Sequence, residues 1–182
     1  MSGHNKWSKI KHKKGATDAA RSKVFSKHSA LIAMESRAAG GNIDSPKLAA
    51  AIERAKKDSM PKDNIERAVA KGAGTGGAAY EEVMFEGYGP GGVALLVHAV
   101  TDNNNRTAAA VRSIFTKSGL EMGVPGSAAW AFSKSPEGTY VPNLPMDIDE
   151  ETGEKLADFI EKLEDNEDVT DVFTAADTPE VE

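Results

Sequence analysis

Basic residues are concentrated in the first 27 positions of the chain, and such a cluster of cationic side chains can bind an anionic partner. The basic arm, Ser2–Lys27, contains eight lysines and arginines against one acid, Asp18, and it includes Trp7. Almost no apolar side chain precedes Val24, so the arm cannot bury enough surface to fold alone. We therefore predict that the arm binds nucleic acid. The predicted nucleic-acid-binding residues are Lys6, Trp7, Lys9, Lys11, His12, Lys13, Lys14, Arg21, Lys23 and Lys27.

The expected contacts of the arm are with the phosphate backbone, because each Lys or Arg that neutralises a phosphate releases condensed counterions. Trp7 has two interpretations. It could stack on an unpaired base, which is worth about 1–3 kcal/mol in single-strand binders, or it could pack against the helical domain. For the charge run as a whole, the alternative is a solvated tail that keeps the protein in solution.

Charge is divided unevenly along the chain. Residues 1–71 hold 16 Lys/Arg and 7 Asp/Glu, a net charge of +9, whereas residues 72–182 hold 6 and 21, a net charge of −15. The overall net charge of −6 therefore does not exclude a nucleic-acid binder. Nucleic acid would repel the acidic part, which we expect to face away from it and to offer a surface for a protein partner.

Several classes of protein are disfavoured by what the sequence lacks. It has no cysteine, which excludes disulfides, thiol nucleophiles and cysteine-ligated zinc. The longest apolar run, Val93–Val97, is too short to span a bilayer, and no apolar segment follows the basic N-terminus as in a secretory signal. We expect a cytoplasmic protein that does not contact membranes.

Catalytic and metal-binding patterns are also missing. The histidines His4, His12, His28 and His98 do not have the spacing of a metal motif, and neither a nucleophile elbow nor a Walker loop is present. His28 lies on an apolar helical stripe, which favours a core or rim position. The acids of 147–151 precede a predicted helix and suit its dipole. We predict no enzyme activity, no metal and no cofactor.

Hydrophobic periodicity predicts an α+β protein with an N-terminal three-helix domain. The first helix should run from Thr17 or Asp18 to about Ala39, with Val24, Phe25, Leu31 and Ile32 on one stripe. A second helix should begin at a Ser45 cap with Pro46 in its first turn and end near Asp58, and a third should run from Pro61 to Lys71–Gly72. The arm and helices form the predicted domain 1–75, and the glycine-rich stretch Gly72–Gly77 should be a hinge.

The second predicted domain, residues 76–182, is an acidic α/β sandwich with helices on one face of a mainly antiparallel sheet. A linker is expected at about 135–147, where prolines are frequent. The predicted strands are Tyr80–Tyr88, Val93–Thr101, Ser127–Ser133 and Val169–Thr174. The predicted helices are Asn105–Lys117, begun by a cap at Asp102 or Asn103, and Glu150–Leu163.

Two loops of this domain are candidate sites for a partner or a phosphate. The first has more glycine than a hairpin turn needs, so a partner could approach its backbone closely, although a purely structural turn also explains it. The second is a polar run between a strand and a helix, where exposed amides can bind an anion and Arg106 could hold a phosphate. The loop residues are Tyr88, Gly89, Pro90, Gly91, Gly92, Asn103, Asn104, Asn105 and Arg106.

Four long motifs resemble the YebC/PmpR family over nearly the whole chain. They are GHNKWSKIKHKK, MPKDNIERAVAKGAG, FEGYGPGGVALLV and TDNNNRTAAAVR. The resemblance implies a regulatory protein, because family members are described as probable transcriptional regulators and their mitochondrial relatives as translational activators. Members are usually longer, with a third domain inserted in the second. Here FSKSPEGT passes almost directly to YVPNLPMD, so we expect this chain to be a short form without that domain.

The sequence thus favours a nucleic-acid-binding regulatory protein, with DNA binding in transcription implied by the family. The alternative partner is RNA or the ribosome, as in a translational activator, because the arm offers no recognition helix with base-reading side chains at groove spacing. A second alternative is a protein-interaction adaptor that binds through its acidic domain.

Overall fold

The computed structural model describes residues 18–74 and 79–177. Contacts within these ranges separate two compact units. The helical unit comprises 18–74, 79–83 and 100–104, and the sheet unit comprises 84–99 and 105–177. The predicted boundary at residues 75 and 76 lies outside the described ranges, so the predicted division into domains 1–75 and 76–182 stays a prediction. None of the helices described is long and apolar enough to cross a membrane.

Three helices form the helical unit, as the periodicity predicted. They are α1 (Asp18–Ala38), α2 (Pro46–Lys57) and α3 (Lys62–Ala73). Ser45 is the N-cap residue of α2 and Pro46 follows it in the first turn, as predicted, but the Ser45 side chain makes no capping hydrogen bond. One cluster of buried apolar side chains forms the core among these helices: Ile32, Leu48, Ala51, Ala55, Met60, Ile65 and Ala68.

Helices α1 and α3 approach each other closely at Gly72. A Cβ placed on Gly72 would lie 2.2 Å from the carbonyl oxygen of Ala33 and 2.7 Å from Cβ of Ser36. The Ser36 hydroxyl donates a hydrogen bond of 2.7 Å to the carbonyl of Val69, which joins the two helices again. Gly72 and Ala73 therefore belong to α3, which packs closely against α1 at Gly72, and the predicted hinge is wrong at these two positions.

A four-stranded sheet forms the centre of the second part of the chain. Its strands are β1 (Glu81–Tyr88), β2 (Ala94–Thr101), β3 (Met122–Gly123) and β6 (Val169–Thr174), in the order β3-β1-β2-β6. β1 pairs antiparallel with β3, and β2 pairs antiparallel with β6 in the register that sets Val97 opposite Val172. This sheet agrees with the predicted α+β class.

Helices α4 (Asn104–Lys117) and α5 (Glu150–Glu164) complete the core of the sheet unit. Phe115 of α4 and Phe159 of α5 meet edge to face, with ring centroids 4.9 Å apart. Asp149 caps α5, since its side chain accepts a hydrogen bond of 2.7 Å from the backbone N–H of Thr152. Hydrogen bonds from the side chain of Thr152 and from its backbone N–H hold the pKa of Asp149 below its usual value. The predicted bounds of both helices are close to the observed ones.

The region between α4 and α5 differs from the prediction. Instead of a strand over Ser127–Ser133, Ala129–Ala131 forms a 3-10 turn and β4 begins only at Phe132. The physical reason is that the carboxylate of Glu86 takes the backbone N–H groups that a strand would offer to a ladder. The predicted linker 135–147 contains β5 (Tyr140–Pro142), which pairs antiparallel with β4 (Phe132–Lys134).

Candidate nucleic-acid interface and loop sites

Seven of the predicted nucleic-acid-binding residues lie outside the part of the chain that the structure describes. The other three, Arg21, Lys23 and Lys27, lie on α1. Arg21 is exposed, whereas Lys23 and Lys27 are half-buried and already interact with other groups of the protein. Of the three basic residues of the arm that lie on α1, Arg21 is therefore the most exposed. The residues outside the described ranges are Lys6, Trp7, Lys9, Lys11, His12, Lys13 and Lys14.

Both histidines in the described ranges have structural partners. Nε2 of His28 lies 2.6 Å from Oδ2 of Asp58, which joins α1 to the end of α2. Nδ1 of His98 lies 2.6 Å from Oγ1 of Thr170. Across residues 18–74 and 79–177, the acids and histidines form no group of three that could hold a metal. His28 occupies the core or rim position predicted for it.

A groove opens between α1 and α3 in the helical unit, and we call it the α1–α3 groove. Its volume is about 520 Å³, within the range of roughly 300–1,000 Å³ of small-ligand sites. It combines two cations with hydroxyl, amide and aromatic groups. Residues that line it include Arg21, Ser26, Ser29, Asn64, Lys71 and Tyr80.

Sequence reasoning missed two of the residues that line this groove, Lys71 and Tyr80. Nζ of Lys71 donates a hydrogen bond of 3.2 Å to the Tyr80 hydroxyl and lies 5.1 Å from the centre of the ring. The ammonium group therefore sits nearer the hydroxyl end of the ring than its centre. Lys71, Tyr80 and Arg21 are too distant in sequence for spacing to reveal them as one site.

Internal packing and backbone conformation account for Gly89 and Gly91 of the first candidate loop and for Gly87 just before it. A Cβ on Gly87 would lie 2.5 Å from the ring of Phe115, and one on Gly89 would lie 2.9 Å from Leu95. Gly91 has a φ of +76°, a conformation that favours glycine. Among the alternatives left open, these contacts support the structural turn for Tyr88, Gly89, Pro90, Gly91 and Gly92. A partner at this loop stays a prediction.

In the second candidate loop, Arg106 forms an ion pair with Asp168. Arg106 Nη2 lies 3.2 and 3.1 Å from the two carboxylate oxygens of Asp168. The buried Thr107 hydroxyl donates a third hydrogen bond, of 2.7 Å, to Asp168 Oδ2. A phosphate at Arg106 would share that side chain with Asp168. The phosphate role predicted for Arg106, Asn103, Asn104 and Asn105 stays a prediction.

A buried carboxylate organises the loop before β4. Oε1 of Glu86 accepts a hydrogen bond of 2.8 Å from the N–H of Gly126, and Oε2 accepts bonds of 2.8 and 2.7 Å from Ala128 and Ala129. Burial by itself raises the pKa of Glu86, but the three donors outweigh it and hold the pKa below its usual value. No pattern in the sequence predicted this role for Glu86.

The same loop presents an exposed aromatic side chain. Trp130 is 70% exposed, yet its indole N–H is fixed by the carbonyl of Ser127 at 2.9 Å and the hydroxyl of Tyr88 at 3.1 Å. Val124 and Leu144 of the sheet unit are also largely exposed. Sequence reasoning placed Trp130 in a strand and assigned it no binding role.

Two protein-family models together match most of the chain. A family model described as the TACO1/YebC protein N-terminal domain matches residues 5–75. A second model, described as the TACO1/YebC second and third domain, matches residues 80–137 and 133–176. The two ranges of the second model meet at residues 133–137, where β4 passes into the turn before β5.

Curated relatives share a regulatory name. A "Probable transcriptional regulatory protein" of Trichlorobacter lovleyi is 54% identical over 149 residues, which are 81% of this chain and 60% of the relative. Proteins of the same description from Desulforapulum autotrophicum and Geobacter sulfurreducens are 57% and 47% identical, over 74% and 96% of this chain. The matched parts cover 55% and 70% of those two relatives, so this chain spans little more than half the length of some of them.

A solved structure has the same fold. The crystal structure of a conserved hypothetical protein from Aquifex aeolicus superposes with a TM-score of 0.78 at 33% identity, covering 90% of this chain and 93% of that one.

Proposed function

The chain belongs to the TACO1/YebC family, and on that premise we propose that it is a regulatory protein that binds nucleic acid through its basic arm and helical unit. The observation that carries this proposal is the separation of charge, with +9 over residues 1–71 and −15 over the remainder. Positive charge is spread over this part of the sequence: lysines precede α1, Arg21 lies on α1 and Lys71 lies on α3. Such a distribution suits the phosphate backbone.

The first candidate target is duplex DNA, with the protein acting as a regulator of transcription. The support for it is the name that the curated relatives carry, "Probable transcriptional regulatory protein". A regulator of this kind should bind one promoter sequence more tightly than a shuffled duplex of the same length and composition.

The second candidate target is RNA, including the ribosome, with the protein acting in translation. α1 carries no Asn or Gln, the side chains that read adenine in the major groove. A basic helix without them suits backbone and shape recognition better than base reading. Co-sedimentation with ribosomes that is lost after RNase treatment would favour this target over DNA.

The decisive experiment removes three lysines from the basic arm. We expect Lys11→Ala, Lys13→Ala and Lys14→Ala together to abolish a mobility shift with both DNA and RNA while the circular dichroism spectrum stays unchanged. The matched control neutralises three exposed lysines of the sheet unit, Lys117, Lys134 and Lys162, which changes the net charge equally. Equal affinity of the arm variant and the wild type would overturn the proposal.

The sheet unit supports a further proposal, that a protein partner binds the acidic half of the molecule. The exposed side chains of Trp130, Val124 and Leu144 are of the kind that protein interfaces cover. Capture of a partner that survives nuclease treatment and is lost in Trp130→Ala would support an adaptor role.

The matches to the second family model also support the expectation of a short form. Its two ranges adjoin within residues 133–137, and only the turn of 135–139 separates β4 from β5. The N–H of Ser135 donates a hydrogen bond of 2.7 Å to the carbonyl of Thr139 and closes this turn. We infer that the domain usually inserted here is absent, so functions that require it belong to longer members.

A further inference from the structure

We propose that the α1–α3 groove binds one unpaired nucleotide of a single-stranded nucleic acid, an inference that rests on the nucleic-acid binding proposed above. The groove shares the start of α1 with the arm, but Asn64, Lys71 and Tyr80 belong neither to the arm nor to the two candidate loops. The argument starts from the rigidity of its walls. Two contacts fix α3 against α1: the close approach of Gly72 to Ala33 and the hydrogen bond from Ser36 to Val69. The groove is therefore preformed, and binding does not have to supply the free energy of ordering its walls.

Cations in the groove suit the phosphate of such a nucleotide. Arg21 lines it from the first turn of α1 and Lys71 from the last turn of α3. Both residues are exposed, so they can reach a ligand without leaving a buried position. In sequence, Lys14 lies only four residues before Asp18, where α1 begins, and a strand held by the arm could therefore continue into the groove.

Tyr80 suits the base. Its ring is half-buried at the groove, and the Lys71 ammonium lies towards the hydroxyl end, 5.1 Å from the ring centre. The ammonium contacts the ring from one side, and the base would stack on the face of the ring that is turned away from Lys71. Stacking on an aromatic face accepts any base, because every base has a π-face of its own.

Asp18 and the polar groups beside it distinguish a nucleotide from a bare phosphate. Asp18 lines the groove together with Ser22 and Asn64. A carboxylate would repel phosphate, but it accepts hydrogen bonds from a sugar hydroxyl or from an amino group on a base edge. The groove therefore offers cations, an aromatic face and acceptors, which match the three parts of a nucleotide.

Duplexes cannot use this site in the same way, because their bases are stacked on each other and paired. The test measures binding by fluorescence anisotropy with three labelled probes: a 12-nucleotide RNA, the DNA strand of the same sequence, and the 12-base-pair DNA duplex. We expect Tyr80→Ala to weaken binding of the single strands by roughly 5- to 150-fold, the range for loss of one base stack. Duplex binding should change by less than about twofold.

Two further variants separate the groove from general effects on folding and charge. Tyr80→Phe keeps the ring and should stay within about twofold of the wild type on every probe. Lys71→Ala should weaken single-strand binding by roughly tenfold, whereas Lys57→Ala, which removes an equal charge from the exposed end of α2, should not. Since Lys71 is exposed, its variant decides the matter if Tyr80→Ala does not fold.

The outcomes distinguish this inference from the function on which it rests. A Tyr80-dependent preference for the RNA strand or for the DNA strand supports the groove and identifies the sugar that it accepts. If Tyr80→Ala and Lys71→Ala bind all three probes like the wild type while the arm variant loses binding, the groove proposal is overturned and the proposed function stands. If the wild type binds none of the probes, both fail.

Discussion

Glu86 and Ala128 are joined by a buried hydrogen bond of 2.8 Å from the backbone N–H of Ala128 to the Glu86 carboxylate. Gly126 and Ala129 donate to the same carboxylate. An extended β1 thereby holds a loop some 40 residues later in the chain, and that loop carries the exposed Trp130. These three hydrogen bonds therefore hold in place the loop that exposes Trp130.

Replacing Glu86 by Gln should lower the free energy of unfolding at pH 7 by about 1–3 kcal/mol, because the amide group turns an N–H towards backbone donors that then lack an acceptor. Urea denaturation followed by circular dichroism measures this change. The matched control is Glu81→Gln at the exposed start of the same strand, which should change stability by less than about 0.5 kcal/mol. Equal stability of the two variants would show that the loop is held by other contacts.

Acid should weaken the fold through the same carboxylate. The pKa of Glu86 is lower in the folded protein than its ordinary value of 4.5. Its contribution to stability is therefore complete above pH 4.5 and is lost as the pH falls through the folded-state pKa. The stability difference between wild type and Glu86→Gln should shrink as urea titrations move from pH 6 to pH 3. A difference that stays constant with pH would contradict the lowered pKa.

Gly72 should not tolerate a side chain. A Cβ there meets the Ala33 carbonyl at 2.2 Å, and a backbone oxygen can only move with α1. We expect Gly72→Ala to lower the free energy of unfolding by about 1–3 kcal/mol, the usual effect of overpacking. Gly74→Ala is the control, since its Cβ would meet its nearest neighbour at 3.5 Å. Thermal unfolding should separate the two variants, with only Gly72→Ala melting several degrees lower.

The Thr107 hydroxyl should stabilise the sheet unit through Asp168. Thr107→Val keeps the branched shape but leaves Asp168 without the 2.7 Å donor, at a cost of about 1–2 kcal/mol. Thr116→Val on the same helix is the control, because the exposed Thr116 hydroxyl bonds only its own helix, at the carbonyl of Arg112. Chemical denaturation of both variants measures the difference. A loss no larger than that of Thr116→Val would mean that Arg106 alone satisfies Asp168.

Salt should weaken binding in proportion to the number of phosphates that the arm neutralises. With about six contacts, affinity for duplex DNA should fall roughly a thousandfold between 50 and 200 mM salt. Replacing Lys11 alone by Ala should reduce the slope of log K against log salt by about 0.9, the contribution of one phosphate contact. Anisotropy titrations at four salt concentrations give the slope. Salt-independent binding would exclude backbone contact as its source.

Local signals in the sequence predicted the elements well. Apolar side chains at helical spacing located α1, α2 and α3, and the starts predicted at Pro46 and Glu150 match the observed ones, because these preferences depend only on near neighbours. The division of charge that supports nucleic-acid binding is likewise a property of the sequence, since it needs no knowledge of the fold.

Tertiary structure decided the features that depend on residues far apart in the chain. Glu86 took the N–H groups of Gly126, Ala128 and Ala129, which replaced a predicted strand by a loop. The contact of α1 with α3 brought Arg21 and Lys71 to one groove with Tyr80. The physical reason is that a hydrogen bond or a packed contact is set by distance in space, whereas propensity, periodicity and charge are set by position along the chain.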